Sequence, residues 1–326
     1  MPVRLRVATF NVENLNDQTS NPSLAQRIAL MHPQLVRVDA DVLCLQEVTA
    51  RRDGAGQFQL TALDGFLAGT QYAAYNRAAA FTGTGERSIV TLSRFPITEQ
   101  ETVLHTLAPP PSYRRVTAAP PDKQAQPVRA ERATLRVATA VDGASVLHVI
   151  NVHLKSKLPT TIPGQLVDPT QQFSPWRTAS GFAEGSFLSS MKRVSQALET
   201  RMLIDRLFDA DGGALIAVCG DFDSEATEVP LVAIRGDVED NENPALAART
   251  MIPCEQTVPE SARYSLFHHG RGLMLDHVLA SRPLLAFYKH TEIHNELLHD
   301  ESSAFATDVK FPESDHAPVV AEFSLP

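Results

Sequence analysis

Five separated segments of the 326-residue chain set ligand-capable side chains at the edge of an apolar run: Asn11, Gln46-Glu47, Asn151 with His153, Gly220-Asp221-Phe222-Asp223, and Ser314-Asp315-His316. Burying a carboxylate costs several kcal/mol unless it is paired or bound to a metal, so Asp and Glu gathered at strand ends ask for a cation. The donors are hard oxygens without cysteine, which suits Mg²⁺ or Mn²⁺ better than zinc. After the apolar run Leu215 to Cys219, Gly220 permits a sharp turn, and alternation then aims Asp221 and Asp223 to one side, where they suit metal or water. Taken singly, each segment also fits an Asp-rich turn or a hydrogen-bonded structural histidine.

These side chains need elements to carry them. Val3 to Phe10 turns from alternating to continuous apolar and predicts a strand ending at Asn11, and Asp41 to Glu47 predicts a buried strand with Glu47 at its tip. Further strands are predicted at Ser88 to Leu92, Ala133 to Ala138, Val146 to Val152, Ala214 to Cys219, Leu275 to Ala280 and Pro318 to Phe323. One helix is expected to be capped at Asn21-Pro22 and to use Leu24, Ile28, Met31 and Leu35. A second spans roughly Phe187 to Phe208, with Met191, Val194, Leu198 and Leu207 on one face. Strands and helices mix rather than strictly alternate, so mixed sheets are expected instead of a Rossmann or barrel arrangement.

No internal repeat is visible, and residues 1–326 read as one domain with long loop insertions at about 109–128 and 156–185. The first holds six prolines between Pro109 and Pro127, and the second holds Trp176 beside Arg177. Both read as lids whose aromatic and cationic residues meet a substrate. A net charge of −9 weighs against a protein that coats nucleic acid, but not against a nuclease whose carboxylates hold cations. Cys44, Cys219 and Cys254 read as buried free thiols. With no apolar leader and no run near the roughly 20 residues of a membrane helix, a cytoplasmic protein without membrane insertion or an obligate protein partner is expected.

Taken together, the segments resemble the endonuclease/exonuclease/phosphatase superfamily of DNase I-like proteins. The matching pieces run in the family's order: Thr9-Phe10-Asn11-Val12, Leu45-Gln46-Glu47-Val48, Ser88 to Pro96, Asn151-Val152-His153-Leu154, Gly220 to Asp223, Leu275-Asp276-His277-Val278-Leu279 and Ser314-Asp315-His316. The resemblance implies an α/β fold, a four-layered sandwich of two packed mixed β-sheets flanked by helices. It further implies that Glu47 binds Mg²⁺ (or Mn²⁺), with Asn11 and Asp315 close to the metal or its waters. His316 is then the catalytic histidine and Asp276 the acid that orients it. Asp221 positions or deprotonates the attacking water, and His153 contacts the phosphate, with Glu86 as its acid relay.

The family's usual Gly-Asp-Phe-Asn has Asp223 in place of the asparagine, a carboxylate that either recruits a second cation or holds a proton. Asn-Val-His-Leu-Lys-Ser-Lys looks most like the nuclease members, so Asn151 and Lys155 are expected at the substrate with Arg132, Trp176 and Arg177. Arg129 and Lys157 read equally well as solvated charges. His268 and His269 form a loop near the cleft, whereas His290, His294 and His299 read as surface. The implied activity is hydrolysis of a phosphodiester in DNA or RNA. The alternatives are a small or lipid-linked phosphate, of the inositol phosphate or sphingomyelin type, and a non-catalytic binding protein on the same scaffold.

Overall fold

The computed structural model describes residues 2–18, 21–141, 145–171, 174–303 and 310–326. Among them, twelve strands form two six-stranded sheets. In chain order they are β1 (Val3–Leu15), β2 (Val42–Val48), β3 (Asn76–Ala80), β4 (Ser88–Ser93), β5 (Ile97–Val103) and β6 (Thr134–Val141), then β7 (Ser145–His153), β8 (Leu215–Asp221), β9 (Met251–Pro253), β10 (Asp276–Ser281), β11 (Tyr288–Ile293) and β12 (Val319–Leu325). The first sheet runs β11-β12-β1-β2-β4-β3 and the second β9-β10-β8-β7-β6-β5.

Each sheet has one parallel pair, β1 with β2 and β7 with β8, and every other neighbouring pair is antiparallel. Parallel neighbours finish on the same edge of a sheet, and an antiparallel neighbour starts there. One rim of the molecule therefore collects the ends of β1, β2, β7 and β8 together with the beginnings of β10 and β12.

Successive strand residues point to opposite faces, which explains why the central strands are apolar almost throughout. Val7, Val42 and Cys44 of the first sheet pack on Val137, Val149, Cys219 and Val278 of the second. The alternate residues Phe10, Leu43 and Leu45 meet Met31 and Leu35 of α1 (Leu24–Val38) and Phe66 of α2 (Thr61–Leu67). Ile150, Val152 and Val218 meet Ala197, Leu203 and Ile204 of α3 (Ala179–Ala210) and Leu231 of α4 (Val229–Arg235). The order helix, sheet, sheet, helix is the four-layered sandwich that the resemblance implies. All three cysteines are buried and free, and no helix among the described residues is long and apolar enough to cross a membrane.

All eight strands expected from the sequence are present, whereas β3, β5, β9 and β11 are not legible there. These four are the edge strands of the two sheets. With one side facing solvent, β3, β5 and β11 lack a continuous apolar run, as Ile97–Val103 with its exposed Glu99 and Gln100 shows, and β9 is only three residues long.

The helices need three corrections. Ser23, not Asn21, caps α1 through a reciprocal capping box with Gln26. Helix α3 begins at Ala179, capped by Thr178, eight residues ahead of the expected Phe187, and so takes up the end of the 156–185 loop; residues 172 and 173 of that loop lie outside the described ones. The start is hidden by Gly181 and Gly185, which weaken helix propensity. Gly185 is needed there because a Cβ would sit 2.7 Å from the carbonyl oxygen of Thr160. The expected apolar face is also misplaced, since Val194 and Leu198 are exposed. The buried face instead includes Glu184, Gln196 and Glu199, whose side chains accept from or donate to the backbone of the loops they cover.

Candidate active site

The rim positions the site from both sheets. Asn11, near the end of β1, donates through Nδ2 to Asp221 Oδ2 at 2.9 Å, and Asp221 closes β8. The other Asp221 oxygen accepts from the Asp223 amide at 2.9 Å. His153 ends β7 in register with Asp221. Its Nε2 lies 3.5 Å from Asp221 Oδ2 and 3.6 Å from Glu47 Oε1, beyond good hydrogen-bond distance. Gly220 lies within β8 rather than in a turn. At φ 151° it runs so close to β7 that a Cβ would sit 1.9 Å from the carbonyl oxygen of Val152.

Asp276 opens β10 opposite Asp221, and its Oδ2 meets His316 Nδ1 at 2.7 Å. Ser265 holds both partners, because its hydroxyl accepts from the Asp276 amide at 3.0 Å and its carbonyl from the Ala317 amide at 2.7 Å. Ser314 Oγ donates to the Asn11 carbonyl at 2.7 Å and accepts from the His316 amide at 3.1 Å, which pins the Ser-Asp-His turn to β1. His316 Nε2 is then left 4.0 Å from Asp221 and 3.9 Å from Asp315.

Glu47 sits at a break in strand register with φ 60°, and its Oε2 accepts from the Asn14 amide at 3.0 Å. A matching break in β1 puts Glu13 and Asn14 in the left-handed region. Glu13 Oε2 then meets the Asp315 amide at 3.3 Å. Burial, partly offset by Arg27, pushes the Glu13 carboxyl up to about 7. Asp315 is raised by burial and by Glu13, and its Oδ1 is buried without a hydrogen-bond partner among the described residues. Asp221 is raised by burial and by Asp223. Asp315 is pressed by Glu13 and Glu47, and the ligand atoms of Asp221 lie within 4.8 Å of those of His153 and Asp223 and of those of Asp276 and His316, an acid-rich gathering that a divalent cation fits.

The two histidines respond in opposite directions. Burial followed by the Arg132 charge pushes His153 well below its ordinary range. Burial also opposes charge on His316, but Asp276, Asp221 and Asp315 outweigh it and keep the imidazolium well above its ordinary range.

Other expected residues are placed differently. Asn151 is fully buried between the sheets, where it accepts from Gln46 Nε2 at 2.9 Å and donates to the Val90 carbonyl at 3.1 Å. It ties the sandwich together because a rim-ward strand end leaves an amide in the core, and it does not face the cleft. Lys155 Nζ donates to the carbonyls of Ser156 and Leu158, each at 3.0 Å, and burial with Arg132 pushes it down to about 8. Lys157 pairs with Glu228. Trp176 packs edge-on against Phe182, and Arg177 donates to the carbonyls of Leu166 and Val167, so both serve the loop's own structure.

Glu86 is exposed, and the acids beside His153 are Glu47 and Asp221 instead. His290 is exposed, but His294 is buried against Glu292, and His299 stacks on Phe311 beside Glu313. His268, in a short hairpin, pairs with Glu301. Arg132 is brought to the site: it donates to the Leu154 carbonyl and stands 3.8 Å from Asp223.

Two contributors escaped the sequence reading. Glu13 is a carboxylate two residues beyond Asn11 in a strand, a spacing that signals a shared face. Arg27 lies buried on α1 and donates to the carbonyls of Val12, Glu13 and Pro312, clamping the Glu13 side of the cleft. No sequence signal marks it, because those acceptors come from distant segments.

The fold recurs among solved structures. An endonuclease/exonuclease/phosphatase family protein from Bacteroides thetaiotaomicron is 15% identical with a TM-score of 0.57, covering 100% of this chain and 96% of that one. TDP2 from Caenorhabditis elegans is 15% identical with a TM-score of 0.56, covering 99% and 74%. The 3′ phosphatase NExo from Neisseria, bound to a product DNA hairpin, is 18% identical with a TM-score of 0.54, covering 98% and 99%. No curated protein sequence matches significantly. The model of the Endonuclease/Exonuclease/phosphatase family matches residues 8–316, and this chain belongs to that family.

Proposed function

We propose that the chain is a Mg²⁺- or Mn²⁺-dependent phosphoesterase that hydrolyses a phosphodiester with water, and that its substrate is DNA or RNA. The observation that carries this reading is the junction at the rim, where His316 Nε2 stands within 4.0 Å of Asp221 and 3.9 Å of Asp315 while Asp276 holds its other nitrogen. Glu47, Glu13 and Asp315 would hold the cation, which when bound offsets charge on the phosphate oxygens. Asp221, fixed by Asn11 and by the Asp223 amide, orients the attacking water. His316 holds its Nε2 proton in a hydrogen bond to a phosphoryl oxygen, where negative charge grows during attack, while Asp221 takes the proton of the attacking water and the leaving alkoxide takes one from solvent water. His153 adds a second contact to that phosphate. The DNA hairpin bound by the Neisseria 3′ phosphatase supports nucleic acid as the substrate class.

The test is to incubate the protein with Mg²⁺ or Mn²⁺ against plasmid DNA, RNA, bis-p-nitrophenyl phosphate and p-nitrophenyl phosphate, with His316→Ala as control. Cleavage of the diesters that is lost in the control is expected. Turnover of the monoester alone would sink the nuclease reading, and no turnover of any ester would leave a binding protein.

A further inference from the structure

A cavity of about 360 Å³ lies between the 109–128 loop and α3, lined by Tyr113, Arg115, Arg129, Thr160 and Lys192 among others. We infer that it is a second phosphate subsite, which holds a flanking phosphate of a nucleic acid strand whose scissile phosphate sits at His316. The inference rests on the proposed nuclease activity and extends it to how the strand is held.

Charge is the first argument. The protein carries a net charge of −9, yet cations gather along this wall. Arg115 is held by both oxygens of Asp122 and Lys192 is paired with Glu131, whereas the exposed Arg129 side chain has no hydrogen-bond or ion-pair partner among the described residues. Arg129 therefore offers a free guanidinium, whose fork suits a phosphate.

Continuity with the site is the second. Arg132 stands 3.8 Å from Asp223, and three residues reach at most about 11 Å, so Arg129 lies within a few nucleotides of the reacting centre. Between them, Lys155 feels the charges of Arg132 and Lys192, and Asp223 those of Arg132, Arg193 and Lys155. Arg132, Lys192 and Arg193 are themselves buried and Lys155 is spent on backbone carbonyls, so Arg129 is the exposed cation of the cavity that a neighbouring phosphate of the strand would meet.

Rigidity is the third. Glu184 accepts from the Val116 and Thr117 amides and the Tyr113 hydroxyl, and Glu199 accepts from the amides of His105, Thr106 and Leu107. Two carboxylates of α3 thus fix the loop before any ligand arrives, which lowers the ordering cost of binding.

The test compares wild type, Arg129→Ala and, as a charge-matched control on the β11 edge, Lys289→Ala. Binding of a labelled single-stranded 12-mer is read by anisotropy in EDTA, where nothing is cut, and turnover of bis-p-nitrophenyl phosphate is read separately. Arg129→Ala should weaken 12-mer binding about 5- to 10-fold and flatten the slope of log K against log salt by about 0.7, the value for one phosphate contact on a single strand. Turnover of the small diester and the behaviour of Lys289→Ala should match wild type. A 12-mer that binds wild type and Arg129→Ala alike overturns the subsite while the phosphoesterase reading stands on the small diester. Stronger Arg129-dependent binding to anionic phospholipid vesicles than to the 12-mer overturns the nucleic acid assignment. Loss of small-diester turnover in wild type would strike the proposed activity, leaving the anisotropy to judge the subsite alone.

Discussion

Asp276 Oδ2 lies 2.7 Å from His316 Nδ1, a contact made between side chains 40 residues apart in the chain and buried at the rim of the two sheets. It fixes which nitrogen faces Asp276 and leaves Nε2 for the cleft. Asp276→Asn keeps the shape but removes the charge that stabilises the imidazolium. A fall of about 10²–10⁴-fold in kcat on bis-p-nitrophenyl phosphate is expected, the usual range for a lost acid-base group, with KM little changed. A variant with wild-type kcat would remove Asp276 from the mechanism.

Asp223 faces Arg132 at 3.8 Å, so its charge already has a partner within the protein. The structure thereby adds a third option to the second cation or bound proton that the sequence suggests. Asp223→Asn should leave the number of Mn²⁺ ions bound per chain unchanged by calorimetry. One ion fewer would assign Asp223 to a second metal site with His153 and Asp221, whose ligand atoms with those of Asp223 all lie within 4.8 Å of one another.

Asn151 joins the sheets through Gln46 and the Val90 carbonyl. Asn151→Ala leaves the Gln46 amide buried without its acceptor, a loss of about 1–3 kcal/mol, to be read by urea unfolding. KM for the diester should stay within twofold of wild type. A large rise in KM at unchanged stability would return Asn151 to the substrate.

Glu292 is drawn down from its ordinary 4.5 to about 2, chiefly by its hydrogen bond from Arg6, which spans β1 and β11. A depressed carboxylate contributes stability that is fully present above its unfolded value and is lost as pH falls through the folded one. Unfolding free energy should therefore decline between about pH 4.5 and about pH 2, and Glu292→Gln should flatten that part of the profile. Parallel profiles for the two proteins would show that the pair carries no such linkage.

The residues gathered at the rim were largely legible because each ends or begins a central strand. Asn11, Glu47, His153, Asp221, Asp276 and His316 stand beside apolar runs that both faces of a sandwich bury, and such runs announce themselves. Edge strands β3, β5 and β11 gave no comparable pattern, since part of each faces water, and β9 is too short to give one. Loop residues were legible in type but not in role. Trp176, Arg177 and Lys155 carry suitable chemistry, yet their groups satisfy neighbouring backbone or pack within the loop.

By itself, the sequence determined the strand ends, the acid-rich set they carry and the family those motifs resemble, because burial period and local residue chemistry are written along the chain. Only the tertiary structure decided which ends meet. The one parallel pair in each sheet brings both sets of strand ends to a common rim, Arg27 and Ser314 clamp that rim from afar, and Asn151 turns inward while His153, two residues later in the same strand, meets the acids of the rim. These are contacts between residues tens to hundreds of positions apart, and no local pattern encodes a pairing whose energy exists only once both sheets have packed.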